Sequence, residues 1–198
     1  ALPTDRAREL LSAAVAAATC AACGSRAMRE QSFDVALVDE ASQLTEPGTL
    51  AAVNLADRFV LVGDHQQLPP VVQSEDETLS QSLFQRLIEA YPDAGVLLDK
   101  QYRMAQQIQA FASREFYDGQ LRPATGAVAA QRIDDLDGVD PAVLPDSLRG
   151  GVSMVDTPGD DGRHTDAVEA AEVRRVVDAH LEAGLEPAEI GVIAPFRA

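Results

Sequence analysis

Residues 35–43 read VALVDEASQ, an apolar run that stops at two adjacent carboxylates, Asp39 and Glu40. A continuous apolar stretch bounded by polar residues is expected of a central parallel strand, so Phe33–Val38 is placed in an α/β sheet. In such a sheet ligands gather at the carboxyl ends of the strands, where Asp39 and Glu40 fall. Successive side chains leave a strand in opposite directions, so the two acids can do different work. One carboxylate can hold the hydration shell of Mg²⁺, which prefers oxygen ligands and keeps several waters. The other can orient an attacking water as a general base. The competing reading is that the acid pair opens a solvated loop.

The pattern around this strand alternates helix and strand. Residues after Thr4 (DRARELLSA) predict a short helix with Thr4 as its N-cap, and VAAATC reads as a small-residue strand. EPGTLAAVNL carries Pro47 in its first turn and reads as a helix. RFVLVGD (58–64) is expected to be a second buried strand. LSQSLFQRLIEAY (79–91) places Leu79, Leu83, Phe84, Leu87 and Ile88 on one helical face. VLLD (96–99) reads as a short strand or connector, and MAQQIQAFASREFYDG as a helix closed by Gly119. The acidic stretch 120–151 reads as a loop or insertion. Strand GVSMVD, helix DAVEAAEVRRVVDAHLEAG and strand IGVIAPF complete the pattern, with Gly184 at C′ of the helix. Alternating strands and helices predict mainly parallel sheets.

Composition limits the classes. The chain has 198 residues, 46% apolar and 24% charged, which suffices for a globular core. No apolar run is long enough to span a bilayer, so no membrane partner is expected. The alanine-rich start holds acidic residues and lacks the form of a secretory signal, which predicts a cytoplasmic location. The formal net charge is −16, with Lys100 as the single lysine. Acid excess with little lysine suits a high-salt cytoplasm, and a GC-rich genome would deplete lysine as well. Net charge does not exclude nucleic-acid binding, because a groove can be locally basic or use backbone amides. Cys20 and Cys23 form a C-x-x-C without the further ligands a zinc site needs, so they read as small core residues.

Two further constellations carry chemistry. GDHQQLPPVV (63–72) follows the second strand: Gly63 permits a tight exit, and Asp64 and Gln67 offer polar contacts. A neutral glutamine can donate to a phosphate oxygen and accept from water at once. A proline-stiffened turn would account for the same residues. In LDKQYRM (98–104), Tyr102 offers a stacking face and Arg103 a planar fork suited to phosphate. A surface cation beside a core aromatic is the plain alternative.

Together and in this order, the three motifs resemble the superfamily 1B helicases of the nonsense-mediated-decay, senataxin and Okazaki-fragment-processing type. VDEASQ is similar to their motif II (Walker B), GDHQQLPP to motif III, and QYRM to the arginine motif opening the second RecA-like domain. SLFQRLIEA, FYDGQL and IGVIAPFRA also look like family segments, and ATC (18–20) is similar to a nucleic-acid-contacting threonine motif. The resemblance implies a RecA-like P-loop NTPase fold, with the first domain ending near residue 95 and the second covering 96–198. It implies that Asp39 holds Mg²⁺ through water, Glu40 activates water, and Gln67 senses the γ-phosphate of ATP. Gly63 and Asp64 would line the nucleotide, Tyr102 would pack on adenine, and Arg103 would reach the γ-phosphate. Thr19, Pro195 and Arg197 would lie towards single-stranded DNA or RNA, along which the family moves 5′ to 3′.

The sequence departs from the family in two places. Ala105 and Gln106 follow QYRM where the family has His-Pro, and no G-x-x-x-x-G-K-[ST] phosphate loop occurs. The resemblance puts that loop before Ala1 and the last motifs after Ala198, so the chain is expected to be a fragment that shows no ATPase by itself. A non-catalytic nucleic-acid-binding scaffold and a different P-loop NTPase are the competing readings. An intact Walker A upstream would favour the enzyme over the scaffold. Asp39, Glu40, Gln67 and Arg103 occurring together count against the scaffold, and the order of GDHQQLPP and QYRM against the other NTPase.

Overall fold

The computed structural model describes residues 14–72, 80–159 and 165–194. The chain divides into two compact units, residues 1–96 and 97–198. The helix expected after Thr4 lies outside the described residues, as do Leu79, Pro195 and Arg197.

In the first unit, short helices α1 (Cys20–Cys23) and α2 (Arg26–Arg29) lead into strand β1 (Phe33–Val38). Helix α3 (Glu46–Val53) then carries Pro47 in its first turn, where the missing N–H has no helical partner to lose. Strand β2 (Ala56–Leu61) returns parallel to β1, with Val35 opposite Arg58 and Val38 opposite Leu61. Helix α4 (Leu83–Ala90) starts at Ser82, whose Oγ accepts the Gln85 amide at 3.1 Å. Cys23, Met28, Val38, Ala41, Ala52, Val53 and Leu55 form the core, with Phe33, Leu61 and Phe84 packed against it. Cys23 is buried, which pushes its thiol pKa up, and the neighbouring Cys20 adds to the shift. A bidentate pair, Arg86 Nε and Nη2 to the Glu46 carboxylate at 2.9 and 2.7 Å, ties α4 to the start of α3.

The second unit begins with strand β3 (Lys100–Gln101) and helix α5 (Gln106–Phe116). Gly119, at φ +73°, closes that helix by donating its amide to the Ser113 carbonyl at 2.8 Å. Strand β4 (Arg122–Pro123) pairs in parallel with β3, and Arg122 forms an ion pair with Asp99. After the one-turn helix α6 (Gly126–Ala129), 3-10 turns at Pro141–Val143 and Asp146–Leu148 precede helix α7 (Ala167–Glu182). Asp166 caps α7 by accepting the Val168 and Glu169 amides, both at 2.9 Å. Gly184, at φ +106°, ends it where an added Cβ would meet the Gly138 carbonyl at 2.3 Å.

Several expectations change. VAAATC is not a strand: its residues make no ladder, and Thr19 instead caps α1 with its hydroxyl on the Ala22 amide at 3.2 Å. Alanine has little to pack on a pleated surface, whereas threonine suits an N-cap. The strands are not buried on both faces. Val35 and Leu37 are 47% and 68% exposed, against 3% for Val38, because α3 packs on the sheet and the described residues place no second layer opposite. VLLD is a connector, and helix α4 is shorter than its apolar pattern.

GVSMVD and IGVIAPF are not strands over their described residues, since neither finds a ladder partner. Both run beside α7, where Val155, Val173, Val176, Val177, Leu185 and Ile193 line a groove of about 500 Å³. Residues 120–151 are more ordered than a plain loop. Leu144 is 1% exposed, and the Arg149 guanidinium staples the segment by donating to the Leu144 and Ala142 carbonyls, both at 2.9 Å.

Replacing Leu144 by alanine should therefore lower stability by about 2–5 kcal/mol in urea titration. Leu98→Ala, at a side chain left in solvent, should stay within about 0.5 kcal/mol. Equal effects of the two variants would contradict the assigned core.

Candidate active site

The first unit brings the two exit loops of β1 and β2 side by side. Pairing continues past the strands: the Val62 amide donates to the Val38 carbonyl and the Ala41 amide to the Val62 carbonyl, both at 2.8 Å. Asp39 and Glu40 follow β1 directly, and Asp64 and Gln67 follow β2.

Glu40 turns the chain. Its backbone lies in the left-handed region at φ 52° and ψ 35°, unusual for a residue with a side chain. The turn is supported locally, because the Glu40 amide donates to Asp39 Oδ1 at 3.0 Å. A 3-10 turn, Ala41–Gln43, follows at once. Gln43 Nε2 reaches back to Glu40 Oε2 at 2.9 Å, which orients that exposed carboxylate.

The second loop is built around Asp64. Its Oδ1 accepts the Gln66 amide at 3.0 Å and its Oδ2 accepts the Gln67 side-chain amide at 2.8 Å. Ser42 Oγ accepts the Asp64 amide at 3.0 Å, joining the two loops. Gly63 is required for this approach, since an added Cβ would lie 2.8 Å from the Ser42 nitrogen and 3.1 Å from its Oγ. His65 rests on Phe84 of α4, with ring centroids 6.2 Å apart. Thus Asp39, Glu40, Gly63, Asp64 and Gln67 come together on one edge of one unit.

Arg103 and Tyr102 belong to the second unit, at the turn after β3. The Gln101 side chain clamps that turn: Oε1 accepts the Arg103 and Met104 amides at 2.9 and 2.7 Å, and Nε2 donates to the Met104 carbonyl at 2.6 Å. Tyr102 is 70% exposed. Arg103 is exposed too, and among the described residues its guanidinium makes no ion pair. Thr19 is exposed at the start of α1, with its hydroxyl engaged as a cap.

Ser42 and Gln43 hold the first unit's loops together, and Gln101 holds the Arg103 turn of the second unit, without standing out in the sequence. All three lie inside the quoted motifs, and a neutral polar residue at i+2 or i+3 from a charged one was the available signal.

The donor set suits magnesium. Mg²⁺ is bound through one or two carboxylates, several waters and substrate phosphates, not by a dedicated protein cage. Asp39 offers one such carboxylate, whose Oδ1 accepts the Glu40 amide at 3.0 Å.

Two family models, each described as "AAA domain", match residues 4–75 and 79–198. The chain belongs to the AAA-domain family. Its resemblance to the superfamily 1B helicases is borne out by its relatives. It is 33% identical over 210 residues to the DNA replication ATP-dependent helicase/nuclease DNA2 of Xenopus laevis, an alignment covering 92% of this chain and 20% of that protein. It is 36% identical over 190 residues to the DNA polymerase alpha-associated DNA helicase A of Schizosaccharomyces pombe, covering 88% and 28%. It is 35% identical over 198 residues to the ATP-dependent helicase upf1 of the same yeast, covering 96% and 21%. The chain thus spans between a fifth and just over a quarter of these relatives. AAA-type helicase domains have a P-loop NTPase fold, and the mixed helices and parallel strands agree with it.

The crowding at Gly63 makes a direct forecast. Gly63→Ala should destabilise the first unit by about 1–3 kcal/mol, because backbone has to move. Gly126→Ala, where an added Cβ meets nothing within 4 Å, should be neutral or stabilising by up to about 1 kcal/mol. Chemical denaturation of both variants compares them, and an unperturbed Gly63→Ala would contradict the close contact.

Proposed function

We propose that this chain carries the hydrolytic part of an ATP site in an ATP-dependent nucleic-acid helicase that moves 5′ to 3′ on single-stranded DNA or RNA. One observation carries the reading: two adjacent parallel strands deliver an acid pair and a glutamine to the same edge, through loops hydrogen-bonded to each other. The relatives named as ATP-dependent helicases support it.

In this reading, Asp39 at the end of β1 would hold Mg²⁺ through water. Bound magnesium would neutralise charge on the phosphates. Glu40, turned outward by its left-handed backbone, accepts a proton from the attacking water, and Gln43 keeps its carboxylate aimed. Gln67 exchanges its bond to Asp64 for a γ-phosphate oxygen, so that nucleotide binding is felt by the loop after β2. Gly63 and Asp64 border the nucleotide. Arg103 supplies a planar cation to the transferred phosphoryl group from a RecA-like second domain, and Tyr102 a face for adenine. Thr19, Pro195 and Arg197 belong to the nucleic-acid track. A cytoplasmic location goes with this work, and no described helix is long and apolar enough to cross a membrane.

Glu40→Gln keeps the size and the acceptor for Gln43 but removes the base. In the complete protein carrying this sequence, it should lower strand-stimulated ATP hydrolysis by at least about 10²-fold while leaving thermal stability unchanged. Steady-state phosphate release measures the first quantity and a melting curve the second. Full turnover in the variant would refute the assignment and favour a binding scaffold.

A further inference from the structure

Ser42 belongs to neither the acid pair nor the polar loop that the motifs single out, yet its hydroxyl joins them. It is 4% exposed. Its Oγ accepts the amide of Asp64, 22 residues along the chain, at 3.0 Å. Asp64 in turn holds the Gln67 side chain at 2.8 Å and the Gln66 amide at 3.0 Å. On the other side, Ser42 sits in the 3-10 turn whose Gln43 grips Glu40 at 2.9 Å. A continuous path of named bonds thus runs from the Glu40 carboxylate through one rigid turn to the Gln67 amide.

We propose that Ser42 is a positioning residue for ATP hydrolysis, fixing the Asp64 backbone so that Gln67 is held in register with Glu40. The inference rests on the nucleotide-site reading above. Ser42 touches no reacting atom. It acts through Asp64, which holds the Gln67 side chain in register before the nucleotide arrives and gives it up when Gln67 bonds a phosphate oxygen. Close packing supports a dedicated role, since Gly63 leaves no room for a side chain against Ser42, and the hydroxyl has a fixed place.

The test is a double-mutant cycle in the complete protein carrying this sequence, with Ser42→Ala, Gln67→Ala and both together. Strand-stimulated ATP hydrolysis should show Ser42→Ala lowering kcat about tenfold, with KM for ATP nearly unchanged. In the Gln67→Ala background, Ser42→Ala should add nothing, because there is no longer a glutamine to position. A general loss of structure would lower kcat by the same factor in both backgrounds, and that result would overturn the proposal.

Amide hydrogen exchange gives a readout that does not depend on turnover. Ser42→Ala should speed exchange at residues 63–67 while leaving residues 33–38 unchanged. Unchanged protection at 63–67 would equally overturn it. Glu40→Gln separates the two levels: if it stays active, the nucleotide-site reading falls and takes the Ser42 role with it. If it is inactive while Ser42→Ala and Gln67→Ala multiply independently, only the Ser42 role falls.

Discussion

Two backbone hydrogen bonds beyond the formal end of the sheet determine what the first unit can do. Val62 to Val38 and Ala41 to Val62, both at 2.8 Å, continue the β1–β2 ladder into the loops. Each such bond contributes about 0.5–1.5 kcal/mol net to stability, a modest amount. Their larger effect is geometric, because they set the two chain exits side by side before any side chain is considered. Gly63 is the steric condition for that approach, and the Ser42–Asp64 bond its side-chain continuation. The left-handed Glu40 then follows, since a strand that must turn at once into a 3-10 helix has little room for extended backbone.

Glutamine has a recurring part in this chain. Gln43 holds Glu40, Gln67 is held by Asp64, and Gln101 clamps the Arg103 turn. In a protein of net charge −16 with a single lysine, an amide supplies donors near carboxylates without adding another ion pair. A neutral donor also exchanges partners at low cost, since each bond it gives up is replaced by one of similar strength. That property fits a side chain proposed to release an aspartate when a phosphate oxygen arrives. Two paired cations serve structure instead: Arg86 joins α4 to α3, and Arg149 staples the segment after α6.

Much of this was legible in residues 33–67. The four-residue apolar run Val35–Val38, ending in two acids, specifies a strand of the parallel pair, and a glycine after the next strand marks a close approach. Pro47 and Gly184 similarly announced helix ends, because their backbone chemistry is local. What failed depended on partners. VAAATC, GVSMVD and IGVIAPF have apolar patterns compatible with strands, but a strand exists only where a ladder forms, and a single segment carries no information on its neighbour. Burial of Val35 and Leu37 was overestimated for the same reason: their apolar character is intrinsic, while cover on their face is not. Within the candidate site the charged and glycine residues were visible, whereas Ser42 was not, because its importance comes from a bond to a residue 22 positions away.

The central claim is that the β1 and β2 exit loops form one nucleotide-facing surface. The most direct measurement is a crystal structure of the complete protein carrying this sequence, bound to magnesium and a non-hydrolysable ATP analogue. The account predicts the magnesium water shell against the Asp39 carboxylate, the γ-phosphate within hydrogen-bond reach of Gln67, and Gln67 released from Asp64. A nucleotide bound away from both loops, with the Gln67–Asp64 bond intact, would contradict it.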